Sequence, residues 1–258
     1  MNNVWTIAMR EFRVYFTSPI AYIVLAMFAI IFGYFFTTGL AFFLDYSASV
    51  AAQGGGFGAP SLNVNQFVIE PSLGNMSIVL LFLVPMITMR LFAEEKRSGT
   101  IELLLTSPLR DYHIIVGKWL GALMLFGCLL VVAIANISVL FIYTTPDWKP
   151  VLVSLLGLLL MGGSMIAVGT FLSTLTKNQI VAGALTFGVL LLFWVLNWIS
   201  SYETSTFSRI CEYLAISPHF EQFSRGVIEL KDLLYYVSAI SLGLFLSKRS
   251  LESLRWKA

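Results

Sequence analysis

Charge is scarce in this sequence: Asp, Glu, Lys and Arg make up 12% of its 258 residues, about half the share usual in a soluble globular domain. A water-soluble architecture is excluded on that ground. The 58% of hydrophobic residues and a mean hydropathy of +0.84 point instead to a membrane protein. Sixteen basic against fourteen acidic residues leave a net charge of +2, too little to mark nucleic acid as a partner. Cysteine is nearly absent. Cys128 lies inside an apolar run and Cys211 near a polar segment, which fits neither a disulfide framework nor a zinc spacing. Histidine is as sparse: His113 and His219 are expected on opposite sides of the membrane, so no metal-ligand cluster forms. No acidic residue sits deep in an apolar run, and the proton relay of a coupled carrier or pump is therefore missing. The glycine cluster Gly54-Gly55-Gly56-Phe57-Gly58 lacks the terminal Gly-Lys-Ser or Gly-Lys-Thr of a phosphate loop. It reads as a flexible connection.

What the chain does have is apolar length. A hydrocarbon core of about 30 Å requires about 20 helical residues, and six runs approach or exceed that: 20–44, 73–92, 119–143, 151–175, 180–199 and 233–247. The last, with 15 residues, must begin nearer Val227 or let Asp232 and Lys248 reach for the interface from its ends. Together the runs take half the chain and leave no stretch large enough for a soluble domain. Residues 1–258 therefore read as one all-α membrane domain with six transmembrane helices. The first run is too long for an ordinary signal core of about 7 to 15 residues and is expected to stay in the mature protein.

Orientation follows from Lys and Arg, which cytoplasmic loops retain. With the N-terminus inside, the inner set is Arg10, Arg13, Arg90, Lys96, Arg97, Arg110, Lys118, Lys177, Lys248, Arg249, Arg255 and Lys257, and the outer set is Lys149, Arg209, Arg225 and Lys231. Twelve against four places both termini in the cytoplasm, as an even number of spans requires.

Ahead of the first span, Trp5, Ala8, Met9, Phe12 and Phe16 recur at steps of three and four, the period of an apolar helix stripe. That stripe suits an interfacial helix lying on the membrane lipid or a helix packed on the protein's own spans, and both readings stand at this point. Three Ser-Pro pairs, Ser18-Pro19, Ser107-Pro108 and Ser217-Pro218, are expected to start helices, with serine capping and proline in the first turn. The long outer segment from Ser200 to Asp232 is apolar enough at 210–216 and 220–228 for two short helices of re-entrant type around Pro218. Such backbone is tolerated at membrane depth only where protein or water satisfies it.

Ser164 after Gly162-Gly163 is the one candidate for an intramembrane serine nucleophile, but no histidine base lies in any span, and core packing is the better reading. Asn136 is expected to bond a neighbouring helix, Arg90 to anchor at the interface, and Pro85 to bend the second span. Gly162, Gly163 and Gly169 should let helices approach closely.

The connection after the second span reads Phe92-Ala93-Glu94-Glu95-Lys96-Arg97-Ser98-Gly99-Thr100-Ile101-Glu102-Leu103-Leu104-Leu105-Thr106-Ser107-Pro108. Its start is densely charged, Gly99 permits a sharp change of backbone direction, and Ile101, Leu104 and Leu105 form an apolar stripe. A surface helix covering the base of the bundle and a docking segment for a cytoplasmic protein are both compatible with this pattern.

This stretch, with Glu94-Glu95, Gly99-Thr100, Glu102 and Pro108, resembles the signature loop of type 2 ABC-transporter permeases. Gly117-Lys118 and the run Gly169-Thr170-Phe171-Leu172-Ser173-Thr174-Leu175-Thr176-Lys177-Asn178-Gln179 resemble the same family. Arg10-Glu11-Phe12, Ser18-Pro19-Ile20 and Phe220-Glu221-Gln222-Phe223-Ser224-Arg225-Gly226-Val227-Ile228 look like its gliding-motility-associated branch. The resemblance implies a six-span permease subunit of an exporter in the bacterial inner membrane, paired with a second permease copy or a related permease. It also implies a cytoplasmic ABC ATPase subunit that holds ATP and Mg, with a coupling helix after span two seated in that ATPase. Glu94, Glu95, Arg97, Gly99, Thr100 and Glu102 are the residues the resemblance assigns to that contact. Spans two and five resemble the family's dimer-facing helices. The chain itself has no Walker motif, so it is expected to bind no cofactor and to be non-catalytic. A membrane scaffold and a passive channel, each working without an ATPase, are the alternatives.

Overall fold

The structure is a computed structural model that describes residues 2–52, 63–102, 109–200 and 206–255. Among these residues there are helices and no strands. In chain order they are α1 (Asn2–Thr17), α2 (Pro19–Ala52), a π-helical turn (Asn65–Ile69), α3 (Glu70–Gly74), α4 (Met76–Thr88), α5 (Ala93–Ser98), α6 (Asp111–Tyr143), α7 (Trp148–Ser173), α8 (Gln179–Ser200), α9 (Thr206–Leu214), α10 (Ile216–Ser224) and α11 (Leu230–Arg255).

Among the described residues six helical stretches are long and apolar enough to cross a membrane. Their ends depart from those of the apolar runs, each for a local reason. The first span continues past Leu44 to Ala52 because Asp45–Val50 contain neither glycine nor proline to stop it. Span two begins at Asn65 rather than Leu73, through the π-helical turn and α3. Span three begins at Asp111 rather than Trp119, and Asp111 in its first turn complements the helix dipole. Span four runs Trp148–Ser173 and span five Gln179–Ser200, close to the expected bounds. Span six starts at Leu230, short of Val227, and runs on to Arg255. That extension is supported by pairs one turn apart, Lys248–Glu252 at 3.5 Å and Arg249–Glu252 at 3.0 Å.

The inner pair of the bundle is α4 and α7, both buried along most of their length, while α2, α8 and α11 present wide apolar faces outward. Gly162 and Gly169 admit neighbours as expected: a β-carbon would meet the Phe126 ring at 2.5 Å and Thr88 Oγ1 at 2.3 Å, whereas Gly163 has ordinary spacing. Pro85 lies inside α4, which gives way at Met89 before α5 begins.

The N-terminal helix packs on the protein, but on a different face from the one its large residues suggested. Ala8, Glu11 and Tyr15 are the buried residues of α1, while Trp5 stays 57% exposed and Met9, Phe12 and Phe16 are only half-buried. The reason is the partner surface. A β-carbon at Gly117 of α6 would meet Ile7 at 2.7 Å, and one at Gly121 would meet Glu11 Cβ at 2.7 Å and the Ala8 carbonyl at 2.9 Å. Close backbone approach selects the narrow face, and the bulky stripe is left on the flank.

At the opposite end of the bundle α9 and α10 form the two short helices anticipated there, at 206–214 and 216–224. The break falls at Ala215, whose extended backbone (φ −67°, ψ 140°) precedes α10; Pro218 sits within the first turn instead. Serine does not cap these starts. Ser217 Oγ is buried without a partner among the described residues, and Ser18 Oγ donates back to the Tyr15 carbonyl at 3.2 Å. The pair Ser107-Pro108 and the cluster Gly54–Gly58 lie outside the described residues.

Candidate functional site

The charged segment after α4 is built as a short projecting helix. Its N-terminus is held from across the bundle by the last residue of α7: Ser173 Oγ accepts the backbone N–H of Phe92 at 3.1 Å and of Ala93 at 3.2 Å, and itself donates to the Met89 carbonyl at 3.3 Å. Glu94 and Glu95 occupy the first turn of α5 and Lys96 and Arg97 the last, the arrangement the helix dipole favours. Lys96 donates to the Thr174 carbonyl just past the end of α7, so α5 and the α7–α8 corner are joined twice. Gly99 then takes φ 74°, ψ 0°, a left-handed conformation that glycine adopts without the penalty a side chain would bring. The chain turns there, and residues 100–102 resume a helix. Leu103 to Pro108, with Leu104 and Leu105, lie outside the described residues.

The six sequence-predicted residues divide by direction. Arg97, Gly99, Thr100 and Glu102 are exposed around the turn, where Thr100 Oγ1 and Ser98 Oγ lie 2.9 Å apart. Glu94 is 46% exposed and accepts from Arg90 Nε at 3.0 Å. Glu95 faces inward, with its Oε1 2.8 Å from Lys118 Nζ of α6.

That inward contact belongs to a cluster that sequence reasoning missed. Lys118 is buried and also touches Glu11 of α1, Nζ to Oε1, at 3.0 Å. Beside it Arg90 is only 12% exposed. It does not anchor at the interface: it donates to Ser18 Oγ at 2.8 Å and sits 5.8 Å from the centre of the Tyr15 ring. Tyr15 in turn donates to the Ile87 carbonyl at 2.8 Å. Burial, with the Glu11 carboxylate acting the same way and Arg90 opposing, holds the Tyr15 phenol far above its ordinary range. A signal was present in the sequence: Lys118 stands in the opening of an apolar span, where a cation requires a counter-ion, and Glu11 is the one acid in α1.

Polar side chains elsewhere in the bundle have local roles. Ser164 Oγ donates to the Met161 carbonyl of its own helix at 2.7 Å. Asn136 Nδ2 bonds the Val132 carbonyl one turn back at 2.9 Å, not a neighbouring helix. Asp232 does not reach for water; it is buried against His219. No group of three or more His, Cys, Asp or Glu residues that could hold a metal is found among the described residues.

Six apolar spans, a helix clamped across their foot and a charged turn projecting beyond it define an all-α, multi-pass membrane protein. The family model described as ABC-2 family transporter protein matches residues 5–246, nearly the whole chain, and the chain belongs to that family. No curated protein matches it significantly.

Proposed function

We propose that this chain is the permease subunit of an ATP-driven exporter and that the segment Glu94–Glu102 is where a separate ABC ATPase subunit takes hold. The observation that carries the reading is the exposed turn Arg97-Ser98-Gly99-Thr100, set on a helix whose base is bound to the α7–α8 corner through Ser173 and Lys96. A projection that only covered the bundle would have no use for so firm a footing at its base and so open a tip. Arg97 and Glu102 offer charges of both signs to a partner, Gly99 sets the path, and Glu94 and Glu95 hold the segment to the protein through Arg90 and Lys118.

In this reading ATP and Mg sit in the partner. Closure of two ATPase copies displaces two such turns and shifts the permease between access states, to the extent that nucleotide binds one state more tightly than the other. The Lys and Arg distribution favours this end, with both termini, on the cytoplasmic side, and the bacterial inner membrane is the location the permease reading implies. A second permease, identical or related, would cover α4 and α8, whose outward residues Ile78, Phe82, Leu185 and Leu192 are exposed and apolar. The likeness of the Arg10-Glu11-Phe12 and Phe220–Ile228 stretches to the gliding-motility branch makes an envelope machine one form that export could take.

The test is purification of the tagged full-length chain in mild detergent, with mass spectrometry of its companions and an ATPase assay. Recovery of a Walker-containing ATPase, weakened by Arg97→Glu with Glu102→Lys, is the expected result. A chain that transports or assembles with no nucleotide-binding partner overturns it.

A further inference from the structure

Three helices meet on a single buried cation. Lys118, 2% exposed near the start of α6, places Nζ 3.0 Å from Glu11 Oε1 on α1 and 2.8 Å from Glu95 Oε1 on α5, and 5.2 Å from the centre of the Phe92 ring. Arg10, 60% exposed, lies 3.5 Å from Glu11 and 3.6 Å from Glu95 on the outer side. Glu95 Oε2 is buried with no hydrogen-bond partner among the described residues. The buried part of the cluster thus sets two carboxylates against one ammonium, and only a largely solvated guanidinium offsets the remainder.

An arrangement of this kind is a poor choice if adhesion is all that is needed, because well-packed apolar side chains usually stabilise as much or more. The α1–α6 contact already has such packing at Gly117 and Gly121. Helix α5 differs: only Ala93 among its six residues is buried. One flank is fixed to the α7–α8 corner by Ser173 and Lys96. The other flank is fixed to α1 and α6 through Glu95 and Lys118. What the ion cluster adds is a directional, short, three-way tie that fixes where α5 stands relative to α1.

We propose that Lys118 is a positioning residue that makes α1, α5 and the head of α6 move as one body, so that a push on the exposed turn reaches the first and third spans as well as the second. The source of the push rests on the permease reading above. The mechanical tie does not.

The test uses the full-length chain with Cys128 and Cys211 replaced by alanine and spin labels at Arg13→Cys on α1 and Ser98→Cys on α5, both exposed positions. Pulsed electron paramagnetic resonance reads their separation with and without Mg-ATP, and the ATPase rate of the purified complex is measured alongside. In the otherwise native chain one narrow distance, unmoved by nucleotide, is expected. Lys118→Met, and the neutral triple variant Glu11→Gln/Lys118→Met/Glu95→Gln, should broaden it about twofold and lower the coupled rate about tenfold. Lys118→Arg should restore both. A cavity of about 590 Å³ bordered by Arg10, Glu11, Tyr15, Arg90, Glu95 and Lys118 gives the larger guanidinium room. A narrow distance and full rate in Lys118→Met and the triple variant overturn the proposal, since the charges would then be filler. Where neither accumulates, Glu95→Gln alone decides, because it unties α5 and leaves Glu11–Lys118 in place: an unbroadened distance refutes the tie. If no ATPase accompanies the native chain, the permease reading falls, and the distance measurement still judges the tie by itself.

Discussion

His219 Nδ1 lies 2.7 Å from Asp232 Oδ1, joining the second short helix, α10, to the first turn of the last span. The same ring reaches the other short helix through Nε2, 2.9 Å from the Tyr213 carbonyl, and stacks on Tyr235 with centroids 3.9 Å apart. The Tyr213 carbonyl can only accept, so its contact with the ring is a hydrogen bond donated by Nε2–H. Three helices at the end opposite the charged turn are thereby fixed by one imidazole.

Removing the carboxylate should therefore be costly. Asp232→Ala leaves a buried ring nitrogen without a partner and is expected to lower stability by about 3–5 kcal/mol. Asp232→Asn keeps a hydrogen-bonding group and should lose only about 1–2 kcal/mol. Denaturation by SDS followed by circular dichroism compares the two. Equal losses would show that the carboxylate itself, which both variants lack, and not a replaceable hydrogen bond, matters at this position.

The contact between spans two and four makes a sharper packing prediction. Thr88 is fully buried and donates to the Val84 carbonyl at 2.9 Å, and a β-carbon at Gly169 would lie 2.3 Å from its Oγ1. Gly169→Ala should destabilise by about 1–3 kcal/mol through overpacking. Thr88→Ala removes Oγ1 and the Cγ2 methyl and leaves only the Thr88 β-carbon, 2.7 Å away, to be accommodated, so the double variant should recover part of the clash and be more stable than the sum of the two single losses implies. Strict additivity in the same SDS titration would rule out a clash between these two positions as the cause.

Hydropathy located all six spans because a helix crossing lipid must satisfy its own backbone over about 20 residues, a requirement any sequence displays. It misplaced their ends because charge does not stop a helix: Asp45, Asp111 and Lys248 all lie inside helices. Gly99 was legible, since a turn within a charged segment calls for the residue that tolerates positive φ. The α1 face was not, because periodicity weights the largest side chains, whereas the glycines of α6 admitted the smaller ones. Lys118 and Glu11 stand 107 positions apart. No local pattern reports such a pair; only the fold that brings α1 across α6 does.

At Gly99 strain and function separate cleanly. Among the described residues nothing lies within 4 Å of the position a β-carbon would take, so Gly99→Ala meets no clash with them and should cost the left-handed backbone penalty of about 1–2 kcal/mol. Yield and insertion should hold while ATPase activity in the complex falls, because that penalty disfavours the turn and lets the chain after α5 leave the left-handed path. Normal activity with normal yield would remove Gly99 from the proposed contact.

The orientation proposed from Lys and Arg survives a stricter count. Arg90 and Lys118 are paired with carboxylates inside the protein, yet setting both aside still leaves ten cations against four, and the bias that retains positive charge in the cytoplasm is unchanged in direction. In a chain with Cys128 and Cys211 replaced by alanine, a cysteine at Arg97 should react with a membrane-impermeant maleimide only after cells are opened. A cysteine at Lys149 or Arg209, both exposed at the other end, should react in intact cells. The reverse pattern would put the charged turn outside, out of reach of any cytoplasmic ATPase, and would defeat the permease reading independently of whether a partner is ever recovered.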